Sequence, residues 1–166
     1  ISDDDVPLAA GGTEKRWTIS NTWSLSERPS DVLDRFLQAF DAEIFATPQL
    51  GIGVRAGGWI EPTVTLDETA ITSVSGIRRG GDALTRVNTV RATFTSRPHR
   101  FEEVEAEAWV DDEAVAEEGE VADDLQLYPV HANGQCRRLM KIHHRRKNPD
   151  WQMTVTTNLK GLSALG

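Results

Sequence analysis

Apolar side chains recur along this chain at two spacings, and the change from one to the other marks its elements. In RWTISNTWSL, Trp17, Ile19, Trp23 and Leu25 fall on alternate positions, the period of a half-buried strand. In RPSDVLDRFLQAF the period lengthens: Val32, Leu33, Phe36, Leu37 and Phe40 line one side of a helix. Pro29 and Ser30 start it, and Asp31 favours the positive end of its dipole, so a helix is predicted over about residues 30–41. EIFATPQLGIGVRAG predicts a hairpin, with Ile44 and Phe45 leading to a turn at Pro48 and Leu50, Ile52 and Val54 alternating on the return. TVTL, residues 63–66, is a further short strand.

Gly76, Gly80 and Gly81 interrupt the pattern and predict a hinge between two small lobes, residues 15–75 and 76–166, packed as one unit or as two. The second lobe opens on RVNTVRATFT, where Val90, Ala92 and Phe94 alternate with polar residues until Pro98. VEAEAWV sets Val104, Ala106, Ala108 and Val110 against glutamates, so part of the acidic run is the wetted face of a strand. An acidic loop and a short strand, LQLYPV, follow. Cys136, Leu139, Met140 and His143 then share one helical face, which predicts a second amphipathic helix over about residues 132–146. Asn148 and Pro149 stop it, because the residue before a proline is biased out of the helical region. WQMTVTTNL closes the chain with Trp151, Met153, Val155 and Leu159 on one side. The expected class is α+β, mainly antiparallel sheets with two helices. Residues 1–14, with three aspartates and few apolar side chains, are expected to be a loose arm or connection.

At 166 residues the chain is long enough for a proper core. No stretch approaches the roughly 18–20 apolar residues of a membrane span. The start, ISDDDVPLAAGG, lacks Met and the layout of a signal peptide, and reads as a piece of something longer. A formal charge of -8 argues against a general nucleic-acid binder, because duplex binding is driven by neutralising phosphates. The charge is unevenly placed: Glu102 to Asp124 holds twelve acidic and no basic side chains, and Arg137 to Lys147 six basic and no acidic ones. The plain account is an acidic and a basic face that compensate each other, within a fold or between subunits. The sharper one is a directed field that repels or guides a polyanion.

Candidate chemistry is sparse. His143 and His144 are adjacent, about 100° apart on a helix, which suits a boundary His143 beside an exposed His144 better than a zinc site. Cys136 is the single cysteine and no nucleophile signature surrounds it. GIGVRAGG and GIRRGG lack the lysine and the strand-to-helix setting of a phosphate loop. The residues therefore point to no enzyme, no cofactor and no metal. Of five tryptophans, Trp17, Trp23 and Trp151 are in register with other apolar residues and are expected in the core. Trp59 and Trp109 are candidates for contact with a neighbouring chain.

Taken in order, VPLAAGGTEKRW, SERPSDVLDRFLQAFDAEIF, RVNTVRATFT, VEAEAWVDD and HANGQCRRLMKIHHRRKNPDWQMTVTTNL resemble the central region of the tail-tip hub proteins of long-tailed phages and prophages, the host-specificity or tip-attachment family. The resemblance spans essentially the whole chain and contains no catalytic signature. It implies one or two β-rich hub domains with helices, in a longer polypeptide that forms a ring, usually a homotrimer, at the end of the tail tube. Such a ring contacts other tail-tip and tube proteins, links tube to receptor-binding fibre and lets DNA pass. The resemblance also implies residence in the virion tail, assembled in the bacterial cytoplasm, with no cofactor, specific nucleic-acid binding or membrane insertion. In that setting Arg145 and Arg146 offer a basic surface to an acidic partner, and part of the acidic run is expected to face the lumen or a neighbour's basic helix. Gly134 departs from a good helix start, at a cost of up to about 1 kcal/mol relative to Ala. The rival readings are a carbohydrate- or receptor-binding module built on Trp59 or Trp109, and a peptidoglycan-cleaving tip enzyme with two carboxylates.

Overall fold

A computed structural model of the chain describes residues 4–8, 11–47, 51–57, 61–80 and 86–165. The first part holds β1 (Asp5–Pro7), β2 (Thr13–Lys15), α1 (Pro29–Ala39), β3 (Glu43–Ala46), β4 (Ile52–Arg55) and β5 (Ile71–Arg79). Next come β6 (Thr89–Ser96), β7 (Glu102–Glu105), β8 (Trp109–Val110), α2 (Asp112–Glu118) and β9 (Ala122–Leu127). The last elements are α3 (Asn133–Lys147), β10 (Trp151–Thr157) and a 3-10 turn at Leu159–Leu165. This is an α+β fold of helices and chiefly antiparallel sheets.

The core is built around β6. Its inward positions Val90, Ala92 and Phe94 are buried, as the period of two requires. On one side of β6 lie β7 and β8, both antiparallel to it; on the other lies β9, which is parallel. A parallel partner needs a crossover. The acidic segment supplies one: α2 carries the chain from β8 across to β9, so what looked like a loop is a helix. Asp111 caps it by accepting from the Ala114 N–H, Asp112 and Glu113 sit in the first turn, and Gly119 ends it at φ 81°.

Helix α3 covers the inner face, with Cys136, Leu139 and Met140 buried against Val90, Phe94 and Leu127. The first part of the chain joins the same core through Trp17 and Ala39. Gln135, fully buried, makes that junction. Its Oε1 accepts from the Thr18 N–H and hydroxyl at 3.0 Å each, and its Nε2 donates to the carbonyls of Thr18 and Ala39 at 3.0 and 2.7 Å. Every polar atom of a buried amide is thereby satisfied. At the other end of α3, Asn148 Nδ2 donates to the carbonyls of His144 and Val87, and Asn148 Oδ1 accepts from the Val87 N–H.

Several expectations need correction. Residues 17–24 form no strand, because Trp17 is drawn into the core by Arg138 and by an indole hydrogen bond to the Gly57 carbonyl at 3.0 Å. Residues 63–66 form no strand either. The described part of the arm is a small hairpin, β1 with β2, pinned by a buried Val6. The 75/76 boundary falls inside β5, and Gly76 is a bulge rather than a hinge: at φ 62° it and Ile77 oppose Met153 alone. Gly80 ends β5 at φ 78°, and Gly81 lies outside the described residues, as do the turn at Pro48 and Leu50. The flanking strands β3 and β4 pair in register as expected, Ile44 with Val54.

Candidate functional site

The basic and acidic runs meet within the chain. Arg137 pairs with Glu107, Arg138 with Glu14, and Lys147 with Asp123 at 3.5 Å. His143 Nε2 lies 2.8 Å from an Asp123 carboxylate oxygen, and that hydrogen bond holds the carboxyl below its ordinary range. Arg146 reaches back to Asp41 at 2.9 Å and Glu43 at 3.6 Å. The Asp41 carboxyl is nonetheless raised, because its burial outweighs the guanidinium. Most of these pairs are half exposed and individually contribute little, and of the six basic residues only Arg137 and Lys147 pair with the acidic run among the described residues, so the two runs are joined within one fold but only partly compensated. Arg145 is exposed and has no carboxylate partner among the described residues.

Trp109 and the histidine pair are placed by one break in the strand pattern. Val104 pairs with Phe94 on the core side. Residues 106–108 leave the ladder, so Trp109 pairs with Val90 and turns to the core side as well. Its ring sits against His144, centroids 4.0 Å apart. His144 is therefore the more enclosed histidine, its side chain 14% exposed against 25% for His143, the reverse of the expected order. Burial pushes its pKa below the ordinary 6.5. Trp59 lies outside the described residues.

A different surface emerges where the sequence pointed to core. β5 and β10 form a two-stranded ribbon that no other element covers among the described residues: Trp151 and Met153 are each 60% exposed. Val155 pairs with Val74 and Trp151 with Arg79, so by alternation Trp151, Met153, Val155 and Val74 share a face. Ile77, two residues before Arg79, joins them and is also exposed. The opposite face is polar, with Gln152, Thr154 and Thr156 over Arg78, Ser75 and Ser73. Trp23 is likewise exposed rather than core, its ring set edge-on to Phe36. With Leu25, which is 99% exposed, it borders a groove of about 390 Å³ along α1, lined also by Val32 and Leu33.

No family model and no curated protein matches the chain. The site is therefore read from its own geometry. Among the described residues no group of three or more His, Cys, Asp or Glu converges to hold a metal, and no helix is long and apolar enough to cross a membrane. Cys136 is buried beneath α3, where desolvation pushes its thiol up to about 12 and leaves almost no thiolate at neutral pH. The chemistry on offer is adhesion: an apolar ribbon face and an apolar groove whose charged lining residue, Glu27, is already paired with Arg35. The ribbon's pattern was visible in the sequence; that none of the described residues covers it was not.

Proposed function

We propose that this chain is a structural, non-catalytic part of a phage or prophage tail-tip hub, working within a ring, most simply a homotrimer, that joins tail tube to receptor-binding fibre. The exposed apolar face of the β5–β10 ribbon carries this reading. A two-stranded ribbon is marginal in water by itself, and contiguous exposed apolar surface marks a place where another chain sits. The ordered segments that resemble tail-tip hub proteins supply the kind of assembly. The outer face of the β6 sheet suits a wall past which DNA slides, since Arg91, Thr93, Glu103, Glu105 and Asp124 keep it polar and largely acidic. A sheet face of that charge gives phosphates no grip.

The test is to purify tails from a strain producing the full polypeptide and to quantify its peptides against a tube protein. The reading expects about three copies per tail, with antibody label at the tip. Absence from tails, or label distributed along the tube, overturns it.

A further inference from the structure

Asn133 and Gly134 open α3, and their adjacency carries a chemistry that the other asparagines lack. The chain has five asparagines, at positions 21, 88, 133, 148 and 158, and only Asn133 precedes a glycine. When the next residue's backbone nitrogen attacks an asparagine side-chain carbonyl, a ring closes. A following glycine favours that step, because it has no Cβ to hinder the approach. Asn21 and Asn88 are followed by β-branched threonines, Asn158 by leucine, and Asn148 by Pro149, whose nitrogen carries no hydrogen.

The fold widens the difference. Asn88 Nδ2 donates to the Gly119 carbonyl and its Oδ1 accepts from the Val121 N–H, Asn148 donates to the carbonyls of Val87 and His144, and Asn158 donates to that of Thr69. These three amides are held in place by their partners. The Asn133 side chain is exposed, has no hydrogen-bond partner among the described residues, and borders a cavity of about 610 Å³ that Glu14 also lines. Helix α3 starts without a side-chain cap, and its ladder begins with the Cys136 N–H on the Ala132 carbonyl. The Gly134 N–H therefore lies outside the ladder, in a first turn that frays readily. A Cβ at position 134 would collide with Glu14 Oε1, so the contact between β2 and α3 itself calls for the glycine of the reactive pair.

We propose that Asn133 is a self-modification site whose product loosens the β1–β2 hairpin from α3. The Gly134 nitrogen bonds to the Asn133 side-chain carbonyl carbon, and its proton leaves with the side-chain nitrogen as ammonia, which closes a succinimide. Water then opens the ring at either carbonyl carbon: its hydroxyl goes to that carbon and its proton to the nitrogen, giving aspartate or isoaspartate. In sum, a side-chain amide and a water become a carboxylic acid and ammonia, with no oxidant or cofactor. The new carboxylate stands at the positive end of α3, where it competes with Glu14 for that end and repels it. Arg138 is paired with Glu14 and Arg137 with Glu107, so the second negative charge finds no free cation on the first turns of the helix.

The test follows the full polypeptide in mildly alkaline buffer by peptide mass spectrometry. The acid form is expected to accumulate at Asn133 about tenfold faster than at the other four asparagines, with isoaspartate among the products. Conversion at Asn133 no faster than at Asn21 or Asn158 overturns the site. Glu14→Ala combined with Gly134→Ala, in which the added methyl meets no carboxylate, is expected to slow the conversion about tenfold. An equal rate in that variant overturns attack by the Gly134 nitrogen. The loosening is read by trypsin cleavage after Lys15 and Arg16, which lie beside Glu14. Asn133→Asp is expected to speed that cleavage several-fold, and Asn133→Gln, which adds no charge, to leave it at the parent rate. Cleavage of Asn133→Asp at the parent rate, or equal acceleration in both variants, overturns the release of the hairpin by charge.

Discussion

The β6 sheet and the β5–β10 ribbon start from the same pattern and end in opposite states. Val90, Ala92 and Phe94 alternate with polar residues in one, Trp151, Met153 and Val155 in the other. The first set is buried beneath α3, and the second lies open. Alternation therefore reports that a face calls for cover, not that the same chain provides it. The sheet meets that demand because α3 follows β9 closely and brings Cys136, Leu139 and Met140 onto its inner face. Beside the ribbon, Pro149 stops the helix one residue after Asn148, and the 3-10 turn after β10 leaves Leu159 exposed instead of folding it back.

The widest gap between the two regions should appear on truncation. Phe94→Ala opens a cavity in the close-packed core and is expected to cost about 3–5 kcal/mol in denaturant unfolding of the isolated domain. Met153→Ala on the ribbon is expected to stay within about 0.5 kcal/mol. A comparable loss at both positions would mean that the ribbon is covered within the chain, and would abolish the contrast.

Gln135→Ala comes next. It strips partners from the Thr18 backbone and the buried Ala39 carbonyl, and is expected to cost about 2–4 kcal/mol by the same measurement, since orphaned buried groups lose their desolvation energy outright. A loss below about 1 kcal/mol would show that the first part of the chain is only loosely joined to the core.

Gly134 sharpens the contrast at smaller scale. A Cβ there would lie 2.3 Å from Glu14 Oε1, because Glu14 rests over the first turn of α3 and pairs with Arg138. The helix has no side-chain cap of its own, so a carboxylate brought from β2 meets its positive end. The glycine that looked like a defect makes room for that approach. Gly134→Ala is expected to be no more stable than the parent, and to gain about 1 kcal/mol only in a Glu14→Ala background. An immediate gain in the parent would show that Glu14 has no such role.

Acid should loosen the sheet lobe gradually. With the His144 pKa lowered by burial, the unfolded chain binds a proton there that the folded chain resists, so stability falls as pH drops below about 6.5. For one group the slope is at most about 1.4 kcal/mol per pH unit. Asp123, held low chiefly by His143, adds a further loss at more acid pH, whereas Asp41, raised by burial, acts in the opposite sense. Melting temperatures from pH 8 to pH 5 should show the decline, and His144→Gln should flatten its upper part. An unchanged profile in that variant would place the titration elsewhere.

Both long helices were legible in the sequence to within about two residues, as was the central strand β6, because each repeats one period over several turns or pleats; strands β3 and β4 were legible from apolar runs on either side of a proline-marked turn. The compensation of acidic by basic charge was legible as a possibility, since opposite runs attract whether or not they share a chain. Tertiary structure decided the rest. It turned Trp109 inward, because residues 106–108 lie opposite only Arg91 and Ala92, and that one-residue excess reverses which side of the sheet a side chain meets. It placed β8 and β9 on opposite sides of β6 and so made α2 their connection, although the helix's own start and stop, Asp111 and Gly119, are local signals. It left the Trp151 face uncovered, because whether a strand face is buried depends on what packs against it, and no local spacing encodes the neighbour.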